Sequence, residues 1–188
     1  MKAGEIQEKI EHSSSRRIAL LIAVLALALA MFESLGKAYQ TEAISLQVKS
    51  ANLWAFYQAK SAKLHATELA RSIVIEISDK KTLNESNALR KWAEDVKRFS
   101  SNEEDGDGKS QIFEKARAAE AERDLMFLKY EYMEIASTML QVAIVLASAA
   151  VITNVLLLVV AARGLGVLAT VIGVIGVLFP NIFKGVSV

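Results

Sequence analysis

The stretch closest to a ligand site reads Glu103-x-Asp105-x-Asp107-Gly108-x5-Glu114. Alternate carboxylates of that spacing line a calcium ion, a glycine permits the sharp turn, and a closing Glu binds through both oxygens. The match is incomplete. Glu103 stands where such loops begin with Asp, Ser110 stands where they carry an apolar residue, and no second loop pairs with this one. The expectation is a solvated acidic turn with no resident metal, leaving Glu103, Asp105, Asp107 and Glu114 as weak calcium candidates.

Other reactive patterns are weaker. Gly108-Lys109-Ser110 resembles the end of a phosphate-binding loop, but Glu103 replaces the upstream glycine and no strand precedes it. His12 and His65 are the only histidines and lie far apart, which disfavours a metal site or a histidine acid–base pair. With no cysteine there is no disulfide, thiolate chemistry or cysteine-based zinc site. A net charge of +1 disfavours a nucleic-acid partner, since phosphate binding needs a basic patch. No catalytic residue and no cofactor are expected.

The elements that must carry these residues are helical. One proline, Pro180, and nine glycines in 188 residues leave little to interrupt helix. Apolar residues make up 53% of the chain and gather in three blocks. An uncharged run covers 135–162, and a second, 164–183, follows the single Arg163. About 20 apolar helical residues cross the ~30 Å core of a bilayer. The run 18–32, preceded by Arg16-Arg17, imitates a signal peptide, yet it is 15 residues long and Glu33-Ser34-Leu35-Gly36 lets the helix continue. It is expected to stay as an uncleaved first span. The expected architecture is all-α: an N-terminal segment 1–17, transmembrane helices 18–36, 135–162 and 164–183, and a long antiparallel helical hairpin, 37–134, inserted between the first and second.

Small residues recur along the spans at Ala19, Ala23, Ala26 and Ala30, then at Ala136, Ala143, Ala147, Ala150 and Asn154. Gly166, Ala169, Gly173 and Gly176 repeat the pattern in the third. Such seams let helix backbones approach closely in lipid. Gln141, Ser148, Thr153 and Asn154 are polar residues of these spans, and the uncharged runs 18–32, 135–162 and 164–183 hold no ionisable group, which disfavours an ion-coupled carrier. An oligomer could still line a pore with Gln141, Thr153 and Asn154.

Within 37–134, Ala43, Leu46, Ser50, Leu53, Tyr57 and Leu64 form a heptad face. A second stripe carries Gln47, Trp54, Gln58, Ser61, His65 and Glu68. It reads either as a solvated face or as a contact surface anchored by Trp54 and Tyr57. Thr82-Leu83-Asn84-Glu85 has the form of a capping box, opening a helix whose apolar face is Leu89, Trp92, Val96 and Phe99. A loop at 100–110 and a last polar helix at 111–130 complete the insert. Arg16, Arg17 and Arg163 belong on one side of a three-span protein, which the positive-inside rule makes cytoplasmic. Lys184 dissents.

Several blocks carry a resemblance. They are Asn52-x-Trp54-Ala55-x-Tyr57-Gln58-Ala59-Lys60-Ser61, Arg98-Phe99, Glu134-Ile135-Ala136 and Gln141-Val142-Ala143-Ile144-Val145-Leu146-Ala147-Ser148. Together they resemble a bacterial membrane family known as domain of unknown function 4337, over most of the chain from the first span onward. The chain departs from that family in its glycine-bearing acidic loop, where the family is expected to keep a more continuous charged helix. The resemblance implies three membrane helices with a helical insert between the first two, and no reaction.

The expected role is a non-enzymatic inner-membrane protein that self-associates through its seams and displays a helical rod to another membrane or periplasmic protein. An oligomeric channel or transport-complex subunit is the alternative, and a calcium-responsive sensor a weaker one.

Overall fold

The computed structural model describes residues 2–77, 87–101 and 106–180, residues 2–15 by their backbone alone. Among the described residues there are four helices and no strand: α1 (Lys2–Ile77), α2 (Asn87–Ser100), α3 (Lys109–Thr153) and α4 (Leu156–Leu178). The capping sequence Thr82–Glu85, Glu103, Asp105 and Lys184 lie outside the described residues. Three of the helices contain stretches long and apolar enough to cross a membrane, within Arg16–Ile77, Lys109–Thr153 and Leu156–Leu178.

Helix α1 runs through Gly36 without a break, as the sequence allows. One boundary differs from the sequence expectation. The last two apolar helices meet at Asn154-Val155 rather than at Arg163, which lies inside α4. Asn154 has φ 53°, and its N–H donates to the Ala150 carbonyl at 3.0 Å. Asparagine tolerates the left-handed conformation better than other residues bearing a side chain, and there it closes a helix as glycine commonly does. The uncharged run 135–162 is therefore two helices and a turn. Charge marked the wrong position because the turn is a backbone event that Asn154 permits and Arg163 does not require.

The chain divides into two compact units, one of Met1–Ala43 with Asp124–Val188 and one of Ile44–Arg123. In the first, Ile18 packs with Ala147, Ala150, Val159 and Ala162. Leu25 packs with Leu140, Ala143 and Ala169. Small residues let the backbones close. A Cβ on Gly173 would lie 2.7 Å from the Phe32 ring, and one on Gly36 would lie 3.2 Å from the Met133 Cβ. Gly176 lies against Tyr132. Gly36 is thus a point of close approach between helices.

In the second unit, burial along α1 recurs at Leu46, Ser50, Lys60 and Leu64, with Leu53 and Tyr57 half-buried between them. Ile112, Ala116 and Ala119 bury the facing positions of α3. Helix α2 turns Leu89, Trp92, Val96 and Phe99 half inward.

Candidate functional site

The polar blocks of α1 and α3 build two places where chemistry could occur, one in each unit. In the second unit an ion pair sits among aromatic rings. Lys60 Nζ donates to Asp107 Oδ2 at 2.7 Å. The Lys60 side chain is only 11% exposed, against 44% for Asp107. Its ammonium lies 5.6 Å from the Phe56 ring centroid and 5.8 Å from that of Phe99, so ring faces replace part of the lost water. Lys115 Nζ donates to the Gly106 carbonyl at 2.7 Å, and Gly106 takes φ 63°. The described end of the acidic loop is therefore occupied by two ammonium groups. Among the described residues no group of three His, Cys, Asp or Glu side chains could hold a metal ion. Asp107 serves the ion pair and Glu114 stands exposed on α3.

The stripe offered as a contact surface divides. Trp54 Nε1 donates to Glu120 Oε1 at 2.9 Å, and the ring stands edge-on to Tyr57 and Phe113 at 5.5 and 5.6 Å. Gln47 Oε1 accepts from Arg123 Nη1 at 2.8 Å. Gln47, Trp54 and Tyr57 thus join α1 to α3 inside the unit. Gln58 and His65 remain exposed, and Ser61 is half-buried. His65 Nδ1 lies 3.4 Å from Glu68 on the next turn. Lys109 caps the Tyr57 ring at 5.3 Å.

In the first unit a polar cleft of about 440 Å³ opens between α1 and α3. Glu33, Lys37 and Gln40 line it from α1, and Tyr130, Glu134, Ser137 and Gln141 from α3. Gln141 Nε2 donates to Glu33 Oε1 at 3.2 Å. Ser137 is 7% exposed and its Oγ has no hydrogen-bond partner. The Tyr130 hydroxyl is held above its ordinary range, first by its hydrogen bond to Glu134, then by desolvation, then by the charge of that carboxylate.

The seam residues fall on different sides of the fold. Ala143, Ala147 and Ala150 are buried to 1% or less, and Gly173 and Gly176 are buried with them. Ala19, Ala23, Ala26 and Ala30 are all exposed. Asn154 is exposed in the turn, and Thr153 Oγ1 donates to the Ala149 carbonyl at 2.9 Å. The pore candidates are accordingly a capping residue, a hydroxyl bonded to its own helix, and the partner of Glu33.

Sequence reading passed over Glu33, Lys60 and Ser137. The repeat that selects Leu53, Tyr57 and Leu64 also selects position 60, so the burial of Lys60 was legible. Glu33 counted as a helix-continuing residue at the edge of a span, and nothing local pairs it with a residue 108 positions away.

Neither a curated protein nor a solved structure matches the chain. A family model described as Domain of unknown function (DUF4337) matches residues 14–179. Its match runs from two residues before Arg16 to the end of α4, so it takes in both units and all four helices, and the chain belongs to this family of unknown function.

Proposed function

We propose that the protein is a non-enzymatic integral membrane protein that self-associates through the outer face of its first span. The single observation that carries this reading is an imbalance among the three apolar helices. Only 11% of the most apolar window of α1 is buried within the subunit, against 33% and 28% for those of α3 and α4. Its outward face alternates Ala19, Ala23, Ala26 and Ala30 with Leu20, Val24, Leu27 and Met31, all exposed. Small and large residues at heptad spacing form the groove and ridge into which a second helix packs in lipid. The seams of α3 and α4 are already filled, which leaves this one for a neighbouring copy.

On this reading residues 37–134 form an antiparallel helical hairpin outside the bilayer, a scaffold for another membrane or periplasmic protein. The pairing of Gln47 with Arg123 and Trp54 with Glu120 on α3, and of Lys60 with Asp107 just before α3, supports a hairpin, because advancing positions on α1 meet receding positions in the later segment. Arg16 and Arg17, immediately before Ile18, support a cytoplasmic location for that end of the bundle. The membrane is then the inner membrane of a bacterium and the hairpin is periplasmic.

The test replaces Ala23 and Ala26 together by Leu and measures subunit number in nanodiscs by native mass spectrometry. Smaller assemblies than wild type, with unchanged thermal stability, are the expected result. An unchanged subunit number ends the proposal.

A further inference from the structure

We infer that the cleft between α1 and α3 in the first unit binds the headgroup of an ethanolamine phospholipid. The inference rests on the membrane reading above and adds a ligand to it.

Depth comes first. Between Arg17 and Glu33 the uncharged interval 18–32 rises about 22 Å at 1.5 Å per residue, several Å less than the ~30 Å hydrocarbon core. The arginine end anchors at one lipid–water boundary. Glu33 then lies at the other boundary or slightly within it, at the depth of glycerol and headgroups. A carboxylate at that depth needs partners. Gln141 supplies one hydrogen bond to a single oxygen.

The chemistry of the lining matches a zwitterion. Glu33 and Glu134 offer two carboxylates to a primary ammonium, which has three donors to share between them. Lys37, on the turn after Glu33, is exposed and offers a cation to a phosphate. Ser137 gives the independent sign that a ligand belongs here. Ser137 lines the cleft and its buried hydroxyl has no hydrogen-bond partner, whereas Thr138, Ser148, Thr153 and Thr170 all donate to carbonyls of their own helices. A buried hydroxyl without a partner costs about 1–3 kcal/mol, which a phosphate or glycerol oxygen at the cleft would offset. Phe32 and Met133 form the apolar floor, and exposed Val142 and Val145 continue along α3 as a track for acyl chains.

The geometry disfavours the other common headgroups. Choline has no N–H to give the carboxylates. Glycerol headgroups bring net negative charge to a lining with two acids and one lysine.

The full chain in mild detergent is titrated with dioleoyl phosphatidylethanolamine, phosphatidylcholine and phosphatidylglycerol, and bound lipid is counted by native mass spectrometry. Expected is a preference for the ethanolamine lipid of roughly tenfold, the size of one charge-assisted contact. Glu33→Gln keeps the hydrogen bond to Gln141 and should abolish the preference over choline. Lys37→Met should weaken all three lipids alike. Water-soluble phosphoethanolamine at the same concentration should not compete, because it lacks the chains. Equal retention of the three lipids, or an ethanolamine preference untouched by Glu33→Gln, overturns the inference. Competition by phosphoethanolamine overturns the lipid as its source. Release of the protein from membranes by carbonate would instead overturn the membrane reading, so the two failures are distinguishable.

Discussion

Gln141 on α3 donates its side-chain amide to the carboxylate of Glu33 on α1, 3.2 Å away, at the edge of two apolar helices. The pair converts an isolated polar residue of one apolar helix and the terminal charge of another into a single interhelical contact. Its energetic asymmetry is informative. Removing Gln141 leaves a charge without its donor, while neutralising Glu33 as an amide leaves a hydrogen-bonded pair.

Gln141→Leu should therefore lower thermal stability in detergent by about 1.5 kcal/mol, the low end of the range for a hydrogen bond to a charged group, because both side chains are exposed. Glu33→Gln should cost less than half as much. Differential scanning fluorimetry on both variants compares them directly, and no loss in Gln141→Leu would mean that the contact contributes nothing.

Phe32 lies across Gly173, with ring carbons 2.7 Å from where a Cβ would stand. A methyl group there must displace an aromatic ring that is half-buried between helices. Gly173→Ala should destabilise by about 1–3 kcal/mol as an overpacking substitution, and Phe32→Leu in the same chain should recover most of the loss. Additive losses in the double variant would contradict the contact. Ala147→Leu and Ala150→Leu act on the same principle. Both positions are buried to 1% or less, so bulk there disturbs the subunit itself before any assembly.

The Lys60–Asp107 pair predicts an order among variants. Asp107→Asn removes the charge facing an ammonium that is only 11% exposed, yet Asp107 itself is 44% exposed and water shares the pair. The loss should fall near ~1–2 kcal/mol, between surface and buried pairs. Lys60→Met should be milder, because Phe56 and Phe99 can pack against the thioether. Urea unfolding followed by circular dichroism ranks the two.

Trp54 holds its neighbours by area and by one hydrogen bond. Trp54→Phe removes the bond to Glu120 and should cost about 1 kcal/mol, whereas Trp54→Ala should cost about 3–5 kcal/mol by leaving Tyr57 and Phe113 without their ring partner. If Trp54→Ala left stability unchanged, the residue would not be the internal anchor that its contacts describe.

Tyr130 titrates late because Glu134 prefers it as a donor. A folded-state value raised above that of the unfolded chain contributes stability that is fully present below the ordinary tyrosine pKa of 10.0 and lost as pH rises through the folded value. Alkaline difference absorbance on the four tyrosines should show one late component. Glu134→Gln should bring it earlier, and Tyr130→Phe should remove it. A late component that survives Tyr130→Phe would assign it elsewhere.

The sequence alone determined what is local and periodic: the helices of the described residues, three apolar stretches long enough to cross a membrane, and the heptad face along α1 that takes in Leu46, Ser50 and Leu64. Those follow from the rise per residue and the recurrence of side chains on one face, both encoded within a few turns. The tertiary structure decided which neighbour each face meets. It filled the alanine seam of α3 and left that of α1 outside, turned Trp54 and Tyr57 inward to Glu120 and Phe113, and gave Asp107 to Lys60. It also closed a helix at Asn154 and joined Glu33 to Gln141. Identical small-residue spacings are equivalent until a particular partner covers one of them. A buried polar group chooses its partner from the residues that packing brings within 3.5 Å, wherever they lie in the chain.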